Sequence, residues 1–316
     1  MLWPRGLTAV WADPGWSLLQ QKAVAAYWGL AVGDALGGTV EFLLPAEIAQ
    51  RYGRHDCMRG GGWLHLKPGQ VTDDTEMALA LGEAILGRHG QVDALTVAQR
   101  FDAWLHGKPV DVGNTVRRGL VQFRAHGTLE MPEDDYDAGN GACMRTLPVA
   151  LATWRSDPAV MIRASRTQAH ITHNNPLSDA GTECINRMIA IALAQGSRQE
   201  MLDGPVADLI RRYPVFQFRR KRLPSNPSPY IVDTLRVVLQ VFFDSNSFEE
   251  CLVEVVNRGG DADTTGAIAG MVAGAFHGLE DIPNRWLRRL DPHIRAACRQ
   301  QALALMDLSL SGRARH

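Results

Sequence analysis

The segment GGDADTTGAIAGMVAGAFHG (residues 259–278) carries glycine at every fourth position from Gly266 to Gly278. Four residues are close to one helical turn, so these glycines lie along one slowly drifting helix face. Glycine disfavours a helix by about 1 kcal/mol relative to alanine. Close packing against a second helix would offset that cost. The stripe therefore predicts a helix whose glycine face is a packing surface.

A second stripe, Gly29, Gly33 and Gly37, lies near the N-terminus of the chain. If the two glycine faces pack on each other, they bring two distant helix ends together. The other interpretation is that each stripe packs on a different helix, and the sequence leaves both open.

The rest of the chain has mainly helical periodicity, with apolar residues three and four positions apart. Alternating β-branched runs are nearly absent, and the best strand-like fragment, residues 215–218, is short. These patterns predict an all-α protein. The segments that show the periodicity are residues 18–32, 73–87, 95–106, 114–126, 177–195, 199–212, 230–243, 247–257, 265–277 and 294–308.

Composition excludes several classes of protein. The formal net charge of the 316 residues is −1, which argues against a nucleic-acid partner. The five cysteines are scattered and form no C-x-x-C pair, so neither a disulfide framework nor a thiolate zinc site is indicated. The N-terminus lacks the layout of a signal peptide, and no apolar run is long enough to span a membrane. We expect a cytoplasmic protein.

Two short acidic clusters lie nearly two hundred residues apart. One is Thr72-Asp73-Asp74, and the other is Asp261-Ala262-Asp263-Thr264. Carboxylates with neutral oxygens are the ligands that hard divalent cations such as Mg²⁺ or Mn²⁺ prefer. The alternative is that each cluster only caps a helix, since Thr and Asp are common N-cap and first-turn residues. Because Gly259 and Gly260 permit an irregular turn, Asp261 and Asp263 could converge there on one ion.

Four weaker candidates accompany the clusters. Glu41 follows a glycine-flanked acidic stretch, and Asp111 precedes a predicted helix start near Asn114. The loop GNGACMR (residues 139–145) is small enough for its backbone amides to face an anion such as a diphosphate. The segment HITHNNP (residues 170–176) offers imidazoles for substrate orientation or proton transfer. Each has an ordinary structural explanation, either as a solvated acid or as a turn.

Taken together, GDALG…VEF, KPGQVTDDTEMALALG, GNGACMR, ITHNNP and GGDADTTGAIAG resemble the motifs of the ADP-ribosylglycohydrolase family. Their order and spacing match along about residues 20–280. The resemblance implies one domain over residues 1–316, built as an orthogonal helix bundle with a central cleft that holds two Mn²⁺ or Mg²⁺ ions.

The resemblance also implies a role for each motif. The implied metal ligands are Thr72, Asp73, Asp74, Asp261, Asp263 and Thr264. Glu41 would lie near or on the metals, Asp111 would help to open or activate the ribose, and these two acids are the expected catalytic residues, either of which would move a proton as general base and then acid. The implied substrate-binding residues are Gly139, Asn140, Gly141, Met144, Arg145, His170, Thr172, His173 and Asn174.

The expected activity is hydrolysis of the bond between ADP-ribose and a protein arginine. The motifs are most similar to those of members that act on dinitrogenase reductase, the nitrogenase iron protein. For such members the expected partners include a PII-type signalling protein and an ammonium-transporter complex, with reversible membrane association through a partner. The alternatives are a different protein target, an inactive ADP-ribose-binding or scaffold protein, and a metal-dependent phosphohydrolase. The basic run at residues 219–222 could serve docking or be a solvated loop.

Overall fold

The computed structural model describes residues 11–219 and 224–311, apart from the side chain of Asp137. Most of the basic run at residues 219–222 therefore lies outside the described residues, as do the first ten residues of the chain. Within the described part, regular structure is helical and no strand forms. The prediction of an all-α protein is confirmed.

The helices are α1 (Leu18–Gly37), α2 (Pro45–Tyr52), α3 (Asp73–Gly87), α4 (Ala94–His106), α5 (Asn114–His126), α6 (Gly141–Met144), α7 (Leu147–Thr153), α8 (Pro158–Ala169), α9 (Pro176–Leu193), α10 (Arg198–Met201), α11 (Ala207–Arg212), α12 (Ile231–Asp244), α13 (Phe248–Val256), α14 (Ala262–His277), α15 (Asn284–Arg289) and α16 (Pro292–Leu310). Single 3₁₀ turns occur at Asp135–Asp137, Pro214–Phe216 and Leu279–Asp281.

Helices α1 and α14 cross in close contact at the centre of the molecule. A Cβ atom on Gly33 would lie 2.0 Å from the carbonyl oxygen of Gly266, and one on Gly29 would lie 2.1 Å from that of Gly270. The two backbones touch because neither face carries a side chain. The prediction that the glycine stripes pack on each other is confirmed.

Gly278 does not belong to this contact. Its φ is +82°, and a Cβ atom built on it would meet no atom within 4 Å. It ends α14 in a conformation that glycine adopts more readily than other residues. The packing stripe on α14 therefore ends at Gly274, which lies against the backbone of Ala25.

The other helices surround this central pair. Apolar side chains of α3, α7, α9, α12, α13 and α16 join those of α1 and α14 in one continuous hydrophobic core. Both central helices are buried along most of their length, which explains why they carry apolar or small residues on nearly every face. No helix among residues 11–219 and 224–311 is long and apolar enough to cross a membrane.

Several predicted boundaries differ from the structure. The segment 199–212 is interrupted by a π-helical turn at Leu202–Val206, where Pro205 lacks the amide that a regular α-helix needs. The strand-like fragment 215–218 contains part of a 3₁₀ turn, and its alternating phenylalanines, Phe216 and Phe218, are both buried in the core. Helices α2, α7 and α8 were not predicted from periodicity, and each has proline in its first turn.

Candidate metal centre

The first acidic cluster does not cap its own helix. Helix α3 begins at Asp73, and its N-cap residue, Thr72, makes no side-chain capping bond. The carboxylate of Asp34, on α1, caps the start of α3 instead. It accepts hydrogen bonds from the backbone N–H of Thr72 at 2.9 Å and of Thr75 at 3.1 Å. The Asp73 and Asp74 side chains are thereby left available to the site, whereas Thr72 Oγ1 also donates to Asp34 Oδ1 at 3.0 Å.

The second cluster straddles the start of α14. Asp261 lies just outside the helix (φ −77°, ψ 65°), whereas Asp263 is in the first helical turn. From the sequence, we expected both residues to lie on an irregular turn. The structure agrees for Asp261, but Asp263 is helical. Gly259 and Gly260 have φ near +65°, which brings the chain against the backbones of the segments at residues 43 and 226–227. The Asp261 side chain makes no capping bond and accepts from the Asn140 amide.

The two clusters meet at Asp74. Thr264 Oγ1 donates to Asp74 Oδ2 at 3.4 Å, and Thr72 Oγ1 lies 3.1 Å from the same oxygen. The other carboxylate oxygen, Asp74 Oδ1, is buried and has no hydrogen-bond partner. A buried carboxylate oxygen without a donor is costly unless a cation or proton satisfies it.

Glu41 and Asp111 complete the cluster. One carboxylate oxygen from each of Glu41, Asp111 and Asp263 lies within 4.8 Å of the others. Asp73 lies beside them in the same cavity lining, and its Oδ2 accepts from the backbone N–H of Gly113, two residues after Asp111, at 3.3 Å. The loop after α1, the entry to α5 and the first turns of α3 and α14 thus supply carboxylates to one place.

Burial and mutual repulsion change the protonation of these groups. Loss of water raises the pKa of Glu41 to about 8, with the charges of Asp261 and Asp111 adding to the effect. Burial and the charge of Asp111 raise the pKa of Asp73 to about 8. The pKa of Asp263 is also raised well above its usual range, first by burial and then by Glu41.

Asp34 and Asp261 are shifted less. Burial raises the pKa of each to about 6, but the hydrogen bonds that each accepts oppose the rise. The cluster as a whole therefore holds either protons or cations at neutral pH. Because its donors are carboxylate and hydroxyl oxygens, it fits hard divalent cations. The residues whose oxygens could hold metal are Glu41, Thr72, Asp73, Asp74, Asp111, Asp261, Asp263 and Thr264.

A cavity of about 390 Å³ opens directly above the cluster. This volume is within the range of small-molecule sites. Its lining comes from several elements: Glu41, Phe42, Trp63, Asp73, Asp111, Val112, Gly113, Asn114, Thr115, Val116, Gly139, Asn140, Gly141, Met144, His173, Pro229, Asp261, Asp263 and Thr264.

The loop at residues 139–145 supports one wall of the cavity. Asn140 donates from Nδ2 to Thr234 at 2.9 Å and also binds Asp261. Gly141 begins α6, and a Cβ atom there would lie 2.7 Å from the His173 ring, so glycine permits that ring to approach. Five of the residues expected to bind substrate thus line the cavity: Gly139, Asn140, Gly141, Met144 and His173.

Arg145 and Thr172 lie behind this wall instead of lining the cavity. The guanidinium is fully buried, donates to Gln168 at 2.7 Å and to Thr172 Oγ1 at 2.9 Å, and stacks on Phe101. Thr172 Oγ1 lies 2.8 Å from His173 Nδ1. Burial and the charge of Arg145 hold the pKa of His173 well below its usual range, so the imidazole is neutral.

His170 and Asn174 also lie outside the cavity lining. His170 contacts Asp179 at 3.0 Å and Glu130 at 3.3 Å, in a separate ionic group. Asn174 donates from Nδ2 to the Met131 carbonyl at 2.7 Å and holds the neighbouring loop. Their positions support the wall and do not bring them to a ligand in the cavity.

Sequence reasoning missed several residues at the site. Asp34 organises α3, and Phe42 and Trp63 stand at the mouth of the cavity. A tryptophan inside the glycine-rich loop at residues 59–70 is the signal that could have identified Trp63. No comparable sequence feature identifies the other lining residues, which are Asn114, Thr115, Val116 and Pro229.

Comparisons with known proteins agree with this geometry. The family model described as ADP-ribosylglycohydrolase matches residues 16–314. The chain is 47% identical to the ADP-ribosyl-[dinitrogen reductase] glycohydrolase of Rhodospirillum rubrum over 92% of this chain and 97% of that protein. It is 31% identical to an ADP-ribosylarginine hydrolase of Serratia proteamaculans (strain 568) over 85% of this chain and 75% of that one.

A solved structure gives the same result for the fold. A protein described as an ADP-ribosylglycohydrolase-related protein complex superposes with a TM-score of 0.81 at 33% identity, covering 92% of this chain and 99% of its own. The helical architecture, the buried carboxylates above which the cavity opens and the match over nearly the whole length lead to one conclusion: the chain belongs to the ADP-ribosylglycohydrolase family.

Proposed function

We propose that this protein is a hydrolase that removes ADP-ribose from an arginine side chain of a target protein. The observation that carries the proposal is the meeting of carboxylates from both ends of the chain beneath one cavity. The relatives named for this chemistry support it. The proposed target is dinitrogenase reductase, because the relative of that name aligns along almost its full length.

Two divalent cations, Mn²⁺ or Mg²⁺, complete the proposed site. The first group of ligands is Thr72, Asp73 and Asp74, and the second is Asp261, Asp263 and Thr264, with Glu41 beside them. The unpartnered Oδ1 of Asp74 and the raised pKa values of the carboxylates support this assignment. When bound, such ions clamp vicinal hydroxyls of a ribose and make water more acidic.

The bond that breaks joins the anomeric carbon of the ribose to a guanidinium nitrogen. Its electron pair leaves with nitrogen, so the departing guanidinium becomes a neutral guanidine. The oxygen of water bonds to the carbon and gives up a proton. Asp111 or Glu41 accepts that proton as general base and returns it to the guanidine as general acid. The products are ADP-ribose and a protonated arginine.

The remaining lining residues position the substrate in this proposal. Backbone groups of Gly139 and Gly141 lie along the wall next to His173, where a small-residue loop leaves room for the diphosphate. Burial and the charge of Arg145 lower the pKa of His173, so its neutral ring serves in this proposal as a binding group of the wall. Arg145, Thr172, His170 and Asn174 hold this wall from behind.

The proposal extends to regulation through the similarity to the Rhodospirillum rubrum protein. A PII-type protein and an ammonium-transporter complex would control access to the target and bring the protein reversibly to the membrane. Co-purification of tagged protein with these components, compared between cells given and denied ammonium, tests this part separately from the chemistry.

The direct test is incubation of metal-stripped protein with arginine-ADP-ribosylated dinitrogenase reductase, with and without Mn²⁺. Release of intact ADP-ribose that requires Mn²⁺ is the expected result, and Asp263→Ala should abolish both metal binding and release. Release of inorganic phosphate would indicate a phosphohydrolase instead. Turnover of ADP-ribosylarginine without turnover of the modified reductase would show a different protein target.

A further inference from the structure

Two large aromatic side chains stand exposed at the mouth of the cavity. Phe42 is 54% exposed and Trp63 is 50% exposed, and both line the cavity. Their ring centroids are 5.4 Å apart with the ring planes tilted by 45°. Exposed aromatic groups side by side are a common mark of a binding surface. The proposed chemistry above does not use them.

The backbone holds this pair in place at some conformational cost. Phe42 has φ +61°, a left-handed conformation that is uncommon for residues other than glycine. It is fixed there by its N–H, which donates to the Gly260 carbonyl at 2.7 Å. Trp63 follows three consecutive glycines of positive φ, residues 60–62, in a turn closed by bonds between Gly61 and Leu66. A strained backbone such as that of Phe42 is retained where the surrounding structure has to hold a side chain in one orientation.

The pair lies next to the reacting groups. Trp63 donates from Nε1 to Glu41 Oε2 at 2.6 Å, and Glu41 shares the carboxylate cluster with Asp111 and Asp263. In ADP-ribose, a diphosphate and a second ribose separate the adenine from the anomeric carbon. The leaving group, by contrast, is bonded to that carbon. An aromatic group in contact with Glu41 is therefore placed for the leaving group and not for the adenine.

The chemistry of the pair matches that leaving group. An arginine guanidinium stays planar and cationic when one nitrogen carries ribose, and it is weakly hydrated, so it stacks well on aromatic rings. Cation–π contacts of this kind contribute most where water is partly excluded.

We propose that Phe42 and Trp63 form the subsite for the guanidinium of the target arginine. The inference rests on the proposed function and deepens it, because it identifies the part of the site that selects a cationic, planar leaving group. A neutral leaving group, such as the oxygen of an ADP-ribosylated serine, makes no cation–π contact with this pair, so the pair does not favour its binding.

Phe42→Leu gives the cleanest test, because Phe42 has no polar group and leucine keeps an apolar side chain without a ring. Two quantities are measured with Mn²⁺ present: kcat/KM for ADP-ribosylarginine and the Kd for ADP-ribose. We expect kcat/KM to fall about three- to thirty-fold, the range of cation–π contacts. The Kd for ADP-ribose should change less than about two-fold.

Leu44→Ala is the matched control, because Leu44 is 51% exposed, lies two residues further along and is absent from the cavity lining. It should leave both quantities unchanged. A second comparison separates the ring of Trp63 from its hydrogen bond to Glu41. Trp63→Phe and Trp63→Leu both lose that bond, but only the first keeps a ring, so the leucine variant should be the slower on ADP-ribosylarginine.

Three outcomes would overturn the subsite. One is an unchanged kcat/KM in Phe42→Leu, and another is equal activity of Trp63→Phe and Trp63→Leu. The third is a loss of ADP-ribose binding as large as the loss of kcat/KM, which would place the rings on the nucleotide. If the unaltered protein does not hydrolyse ADP-ribosylarginine at all, the proposed function fails and the subsite fails with it, a result distinct from these three.

Discussion

Gly33→Ala adds one methyl group at the crossing of α1 and α14, the contact that brings the two acidic clusters together. The new Cβ atom would lie 2.0 Å from the Gly266 carbonyl oxygen, whereas ordinary contact begins at 3.4 Å. The Cβ–oxygen distance must therefore increase by about 1.4 Å, which requires the two backbones to shift apart at this point. The obstacle is backbone in a fully buried helix, so no side chain can rotate away to relieve it.

The magnitude follows from two opposing effects. Overpacking of a core costs about 1–3 kcal/mol and occasionally more, while alanine gains about 1 kcal/mol of helix propensity over glycine. Because rigid backbone is displaced on both helices, we take the upper end and expect a net loss of about 2 kcal/mol in the free energy of unfolding. Glu41 follows α1 and Asp263 opens α14, so affinity for Mn²⁺ should fall as well.

Gly87→Ala is the matched control. Gly87 is the last residue of α3, and a Cβ atom there would meet nothing within 4 Å. The same chemical change should be neutral or stabilise the protein by up to about 1 kcal/mol. Urea unfolding of the metal-stripped proteins and Mn²⁺ titration measure both effects. A Gly33→Ala protein as stable as Gly87→Ala, with unchanged Mn²⁺ affinity, would refute the role assigned to this crossing.

Three further predictions concern the site itself. Asp111→Asn should bind ADP-ribose but turn over ADP-ribosylarginine at less than about one hundredth of the normal rate, the range for loss of a general base; normal kcat would remove Asp111 from proton transfer. Asp34→Asn should lower the unfolding free energy by about 1–3 kcal/mol and weaken Mn²⁺ binding, because an amide N–H₂ would face the Thr72 and Thr75 donors; unchanged urea unfolding would show that these bonds do not anchor α3. The pKa values of Glu41 and Asp73 are raised to about 8, so folding takes up protons at these groups and the metal-stripped protein should lose stability as pH rises from about 4 through 8. Thermal unfolding in chelator should show this fall, and saturating Mn²⁺ should remove it. Stability in chelator that rises over this pH range would contradict the raised pKa values.

The sequence predicted the parts of this molecule that are governed by local pattern. Glycine at four-residue spacing has few uses in a helix other than close packing, so both stripes could be identified as packing faces, although the sequence left open whether they pack on each other. The acidic clusters could be suggested as one site because carboxylate and hydroxyl oxygens are the ligands that hard divalent cations prefer. The alternative, that Thr72 and Asp261 only cap their helices, is excluded by the absence of side-chain capping bonds at both positions.

What the sequence could not supply depends on contacts between distant segments. Asp34 looks like one more acid in a helix, and only the fold shows that it binds the start of α3, 38 residues further along. Arg145 was placed with the ligand-binding residues because it belongs to the GNGACMR motif, but it follows the end of α6 and its guanidinium is buried in the core against Phe101. Phe42 and Trp63 meet only because two loops of unusual backbone conformation face each other.

The proposed chemistry depends most on divalent cations being held between the clusters of residues 72–74 and 261–264. Anomalous diffraction from crystals soaked in Mn²⁺, recorded above and below the manganese absorption edge, tests this directly. We predict two peaks bounded by Glu41, Asp73, Asp74, Asp261 and Asp263, and their loss in Asp263→Ala. A map without peaks among these carboxylates, in a protein that still releases ADP-ribose, would contradict the account.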